Sequence, residues 1–397
     1  MHTFWHRRVS ALLAAAFVVS SAATGQANSP QPVGYKAYDG WSDARATTLS
    51  PDGTHLAYVS TPEDADPTLI VRTLASGAQR TQLRGSAPVF AGDGRFVLFT
   101  HLAPRKEIDA AVIAEKPASQ QPKSGFGMLD LRSSADAEIV SDVKSYVYAK
   151  QHGTVIAYLA EPKPSPSPAA SASPAASASP TPSPKPKLSD KTKPPSSLLT
   201  IRDLAGTAKV TVSNVSDVVE SEDGSFIAYA TQSSSGKDDG VHVYDTASGT
   251  TSDVLTGAGR YRNLAIARDG SSLAFLSDVS TYANDVPHDA LYLVNLHVKP
   301  LAASKVVDRG NNNGDVAFSE DGKRVFFGAA PMPTPMPVNT PHPFKVDIWS
   351  YRDSVLQSQQ RHDADQDRKH TDLGVYNLKK GKFFQLGSAA MRIVQWN

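Results

Sequence analysis

The chain contains no cysteine in 397 residues. That absence excludes disulfides, thiolate zinc sites, thiol nucleophiles and iron–sulfur clusters together, and it suits an exported bacterial protein that never depends on oxidative folding. A surplus of charge is missing as well, since 40 Lys and Arg stand against 39 Asp and Glu for a formal charge of +1. No basic field exists to draw in a phosphate backbone, so nucleic acid is not an expected partner. Beyond the N-terminus no run is apolar enough to span a bilayer, which takes about 20 residues.

Several catalytic signatures are absent too. An α/β serine hydrolase needs a Gly-x-Ser-x-Gly elbow, whose glycines permit the strained turn that exposes the hydroxyl. The nearest approach is Gly40-Trp41-Ser42-Asp43-Ala44, which precedes the first strand instead of joining a strand to a helix. There is no His-Glu-x-x-His, phosphate loop or dinucleotide fingerprint. The eleven histidines are scattered, and only His362 and His370 share a polar stretch. Asp363, Asp365 and Asp367 alternate like the start of a calcium loop, but Arg368 stands where that loop needs Gly and Gly374 where it needs Glu. These carboxylates read as a solvated helix face, and no metal or cofactor is expected.

What is present begins with a targeting signal. Arg7 and Arg8 precede an apolar run, Val9–Ala23, which is followed by small residues at Gly25 and Ala27. This is the pattern of a secretory signal peptide over residues 1–27, placing the mature chain in the periplasm or outside the cell. Its removal takes away two arginines and no acid, shifting the formal charge from +1 to −1.

A repeat runs through the remainder. An alternating apolar stretch, an Asp-Gly and a second alternating stretch recur six times, at Ala46–Ser60, Ala87–His101, Ser145–Leu159, Asp217–Thr231, Asn263–Ser277 and Asp315–Ala329. Asp-Gly between short alternating runs predicts a hairpin, because Gly takes positive φ without strain and Asp bonds the backbone of its own turn. The third copy carries His152-Gly153 instead and keeps the glycine. A second phrase, an alternating run and a polar turn, follows at Leu69–Gly77, Leu198–Gly206, Gly240–Gly249 and Leu373–Gly381, and more loosely at Phe126–Leu131 with a turn over Arg132–Asp136. Four antiparallel strands repeated at roughly 40–60 residues predict an all-β protein, a β-propeller of about six blades plus the start of another. A flat β-sandwich would not explain two phrases recurring in step. Tyr58, Phe99, Tyr229, Phe275 and Phe326, each just after its turn, are expected to pack between blades.

Two insertions interrupt the rhythm. Residues 162–197 hold a Pro, Ser, Ala and Lys run (KPSPSPAASASPAASASPTPSPKPK), an extended tether with no means of forming a core. The blades therefore divide into 28–161 and 198–397. Pro331–His370 begins Pro-rich and turns polar and helix-compatible through Asp353–His370. At Ala389–Asn397 the pattern is that of a first hairpin strand, so the chain reads as the N-terminal part of something longer.

Tyr38–Ser60, Leu69–Gly77, Pro88–Thr100 and Lys123–Leu131 together resemble the opening of large exported bacterial peptidases of the prolyl oligopeptidase family. Gly257–Tyr261, Leu264–Asp278, Phe318–Gly328 and above all Val346–Gln360 with Asp367-Arg368 continue the resemblance in order. Tol-type periplasmic propellers share the Asp-Gly phrase, whereas the Trp349 segment is more specific. The resemblance implies a propeller that covers the active site of a C-terminal α/β-hydrolase domain and limits access to peptides or unstructured chains. The Ser, Asp and His of the triad belong to that domain, so none is assigned here. Two functions follow: a substrate-gating propeller of a serine peptidase, inactive alone, or a self-standing exported binding scaffold. For contacts with a peptide terminus or carbonyl, the channel and loop faces point to Arg260, Arg262, Asn311, Asn312 and Asn313.

Overall fold

The Asp-Gly dipeptides sit in turns built alike. In the computed structural model the N–H of Gly53 reaches the carbonyl of Ser50 at 2.9 Å, and the equivalent bonds close at Gly94, Gly224, Gly270 and Gly322. Each of these glycines has φ between +65° and +75°, which L side chains adopt only at a cost. The preceding Asp accepts the N–H two residues on, at 3.1 Å for Asp52 with Thr54 and 3.0 Å for Asp269 with Ser271. Dense donation by Ser50 first, then Thr54, holds the Asp52 carboxyl down at about 2.

The structure describes residues 41–91, 93–150, 153–161, 193, 196–284, 287–310, 314–329, 350–368 and 371–388. The expected signal peptide, His152, nearly all of the Pro-rich insertion, Asn311–Asn313 and Ala389–Asn397 lie outside them. By contacts the chain divides into residues 1–42 with 62–64 and a larger unit, 43–61 with 65–397.

Strands β1 (Ser42–Leu49), β2 (His55–Pro62), β3 (Thr68–Thr73) and β4 (Gln79–Leu83) form one antiparallel sheet in chain order. A second contains β5 (Gly85–Phe90), β6 (Phe96–His101), β7 (Gly125–Asp130) and β8 (Glu138–Val140). The third comprises β9 (Val143–Tyr148), β10 (Val155–Ala160), β11 (Ser197–Asp203) and the first half of β12 (Lys209–Glu220). The second half of β12 then opens the fourth, with β13 (Phe226–Thr231), β14 (Gly240–Asp245) and β15 (Thr250–Thr256). The fifth is β16 (Tyr261–Ile266), β17 (Ser272–Ser277), β18 (Asp289–Asn295) and β19 (Ser304–Gly310). The sixth is β20 (Ala317–Phe318), β21 (Arg324–Ala329), β22 (Asp372–Asn377) and β23 (Lys382–Gln385). These are the four-stranded blades of a β-propeller.

Strand alternation sends neighbouring side chains into different cores, because successive residues point to opposite faces. On β6, Val97 and Phe99 join Ala57, Val59, Leu69 and Val71 of the first blade, while Phe96 and Leu98 join Ile156 and Tyr158 of the third. On β13, Ile227 and Tyr229 pack toward the third blade and Phe226, Ala228 and Ala230 toward the fifth. On β17, Leu273 and Phe275 face the fourth blade and Ala274 and Leu276 the sixth. Of the five aromatics expected between blades, Phe99, Tyr229 and Phe275 are buried there. Tyr58 and Phe326 are only half-buried, because they lie on the faces of the first and last blades that turn away from their one packed neighbour.

Every long insertion occupies the same place in its blade, between the second and third strands. The second blade carries α1 (Arg105–Ile113) there, the third the Pro-rich insertion, and the sixth the segment with α2 (Gln357–Arg368). The helix expected over Asp353–His370 thus forms, whereas α1 had no counterpart in the sequence reading. Among the described residues, no helix is long and apolar enough to cross a membrane.

Candidate functional site

The first strands of successive blades approach one another: β9 meets β12, β12 meets β16 and β16 meets β20. Between them lies a cavity of about 300 Å³ lined by Tyr148, Lys150, Val219, Glu220, Leu264, Ile266 and Phe318, among others. Its geometry follows from the repeat. In the hairpins of the second to sixth blades the last paired residue of the first strand stands at the same place: Phe90 opposite Val97, Tyr148 opposite Ile156, Glu220 opposite Ile227, Ile266 opposite Leu273 and Phe318 opposite Val325. Four of these five positions are apolar or aromatic. Only the fourth blade places a carboxyl there.

Both carboxyl oxygens of Glu220 are out of contact with solvent and have no hydrogen-bond partner. Burial, reinforced by the negative charge of Asp223, pushes the group up from 4.5 to about 8, so at neutral pH it is held as the uncharged acid. Asp217, three residues earlier on the same strand, is the contrast. Burial raises its pKa too, but its carboxylate accepts the N–H of Val218 at 2.9 Å and of Leu264 at 3.1 Å, stitching the fourth blade to the fifth.

A chain of ion pairs leads from the cavity, where Lys150 and Glu222 line it, toward a second hollow. Lys150 lies 3.4 Å from Glu222, Arg268 3.1 Å from Glu222, and Arg268 2.9 Å from Glu320. Beyond Glu222 and Arg268 a second hollow of about 500 Å³ runs along Ser319, Glu320, Arg324 and Phe326. Among the described residues, no three His, Asp or Glu side chains come together in a metal-binding group.

Arg260 and Arg262 stand elsewhere, where β16 begins, at the opposite end of the strand from the cavity. The Arg260 backbone N–H and Nε each reach the wholly buried carboxylate of Asp278 at 2.7 Å. Arg262 lies 3.6 Å from Asp289, and its Nε is buried without a partner. Beside them Lys193, within the Pro-rich insertion, pairs with buried Asp239 and donates to the Ser233 carbonyl at 2.7 Å. Asp239 also accepts the N–H of Ser233 at 2.7 Å and of Gly259 at 3.1 Å. Both arginines are engaged in ion pairs with carboxylates of the fifth blade, Arg260 with Asp278 after β17 and Arg262 with Asp289 on β18. Asn311, Asn312 and Asn313 lie outside the described residues. Sequence reasoning passed over Glu220, although a lone acid in an otherwise apolar column of the repeat was a readable signal.

No protein family's sequence profile matches the chain, and no curated protein matches it. Among solved structures, the tricorn protease gives a TM-score of 0.42 at 13% identity over 87% of this chain and 31% of its own. A study of two prolyl endopeptidases gives 0.40 at 11% identity, over 88% of this chain and 42% of that one. The β-propeller domain of the Trilobed protease from Pyrococcus furiosus gives 0.36 at 12%, over 88% and 86%. The chain thus spans less than half the length of the first two.

Proposed function

We propose that this chain is the substrate-gating propeller of an exported serine peptidase, with the hydrolytic triad supplied by a domain outside these residues. The observation that carries this reading is the ordered series of segments resembling the prolyl oligopeptidase family, of which Val346–Gln360 is the most specific. Two features of the molecule are in keeping with it. The 397 residues contain no Gly-x-Ser-x-Gly, so no activated serine of that class resides here. A hollow bordered by the first strands of four blades suits passage of an extended chain better than of a folded one.

The test is to express the longest open reading frame that contains these blades and to label it with a serine-reactive fluorophosphonate. Labelling together with hydrolysis of a chromogenic pentapeptide, but not of a folded protein of the same sequence content, is the expected result. A product that takes no label and hydrolyses no peptide would refute the peptidase reading and leave an exported binding scaffold.

A further inference from the structure

We propose that Lys193 is an intramolecular ligand, and that the cradle receiving its ammonium straps the end of the third blade's insertion across the fourth blade to the fifth. Nothing in this inference requires a catalytic domain. It rests on what surrounds one amino group.

An ammonium carries three donors and no acceptor, and it is stabilised by a negative charge, by further oxygens or by an aromatic face. All three kinds of partner are assembled here. The Lys193 Nζ pairs with the Asp239 carboxylate, donates to the Ser233 carbonyl at 2.7 Å and lies 5.6 Å from the centroid of the Tyr282 ring, within cation–π range. Asp239 is held from behind, since its Oδ1 accepts the Ser233 N–H at 2.7 Å and its Oδ2 the Gly259 N–H at 3.1 Å. The backbone therefore sets the direction in which the carboxylate faces the amine. The Asp239 side chain is wholly buried and that of Lys193 is 13% exposed. A lysine pair at the open surface contributes little, whereas removing one partner of a shielded pair leaves the other as an uncompensated charge.

The partners come from three blades. Lys193 belongs to the connection between β10 and β11 and stands four residues before β11 begins at Ser197. Ser233 and Asp239 bracket the loop between β13 and β14 of the fourth blade, and Tyr282 lies between β17 and β18 of the fifth. Gly259 is on the link from β15 to β16, where the fourth blade hands over to the fifth. Among the described residues no strand pairing joins those two blades, so the strap bridges a joint that the backbone ladders leave open. The grouping suits lysine in particular. An ammonium is a compact charge on a flexible stem, and a carboxylate, a carbonyl and a ring face gathered around one nitrogen fit it better than they fit the planar fork of a guanidinium.

Acetylation of the whole folded chain with a water-soluble N-hydroxysuccinimide ester, followed residue by residue by mass spectrometry, reads the strap directly. Only an amine released from its partners can lose its proton and attack the ester. Lys237, exposed in the loop between β13 and β14, is the internal reference. Lys193 should react at least about tenfold more slowly than Lys237, and Asp239→Asn, which keeps the shape and removes the charge, should bring it to about the rate of Lys237. A second arm tests the ammonium chemistry. Lys193→Ala removes the equivalent of n-propylammonium, so exchange of the Ser233 and Gly259 amides with solvent should accelerate about tenfold. Added n-propylammonium should slow it again, and uncharged n-propanol should not. Lys237→Ala should leave both amides unchanged.

The inference is overturned if Lys193 in the unaltered chain reacts as fast as Lys237, a comparison that needs no variant to fold. It is overturned equally if correctly folded Asp239→Asn leaves Lys193 protected, or if n-propylammonium slows exchange in Lys193→Ala no better than n-propanol.

Discussion

Glu220 makes the stability of this protein fall as pH rises, and the size of the effect can be worked out. In the unfolded chain the carboxyl titrates at its ordinary 4.5, and in the folded chain at about 8. Below pH 4.5 both states hold the proton, and above 8 neither does. Between these values the folded state binds more protons, so stability declines with pH. The stability contributed is therefore complete at acid pH and lost as pH passes through the folded value. At about 1.4 kcal/mol per pKa unit the full window corresponds to about 5 kcal/mol, and relaxation with water penetration brings the measurable loss to about 2–5 kcal/mol. Glu220→Gln removes the titration and keeps the shape. Urea unfolding followed by far-UV circular dichroism at half-unit steps from pH 4.5 to 9 should show the variant equal to or slightly below wild type in acid. It should then gain progressively and level off above pH 8. Parallel curves, or a variant that loses ground as pH rises, would refute the buried, unpartnered carboxyl.

Four further outcomes test the packing and the buried ion pair. Phe275 stacks on Tyr292 with ring centroids 5.5 Å apart, so Phe275→Leu and Tyr292→Leu should couple by about 0.5–1.5 kcal/mol in a double-mutant cycle. Phe275→Leu and Leu276→Ala, adjacent on β17 but in different cores, should instead add to within about 0.5 kcal/mol by the same urea assay. Asp239→Ala strips buried acceptors from Lys193 and from the Ser233 and Gly259 N–H groups, and it should cost about 3–5 kcal/mol. A loss under 1 kcal/mol would count against the ion pair. Gly127→Ala drives a methyl into the Phe99 ring, and a thermal melt should register about 1–3 kcal/mol of destabilisation.

The blade architecture was legible because each hairpin carries its own instructions. Asp52-Gly53 and its equivalents specify a turn through local chemistry alone, and the alternation on either side specifies which faces are buried. Whether a given face meets another blade is a matter of neighbours, which is why Phe99 and Phe275 were read correctly while Tyr58 and Phe326 were not. Helix α1 was invisible for a similar reason: only Ala111 of its nine residues is buried, so no apolar stripe marks it. At the candidate site, Arg260 and Arg262 were noticed as charge in a loop, but the carboxylates they meet, Asp278 and Asp289, come from the far side of a strand pair. Glu220 could be recognised only by comparing the repeat copies with one another.

Strand β12 has a consequence for how the molecule comes apart. Its twelve residues serve as the outer strand of the third blade and the inner strand of the fourth, so a ladder of seven strands crosses that junction without a break. Among the described residues no strand pairing joins the first and second, second and third, or fourth and fifth blades, and the fifth and sixth share one, Gly310 with Ala329. In an array whose stability is a sum of unit and interface contributions, such a splice turns two units into one. Amide protons of β10 to β14 should therefore exchange with solvent as one cooperative block, later than those of β2, β3, β21 and β22. The Pro-rich insertion enters and leaves within that most slowly opening block.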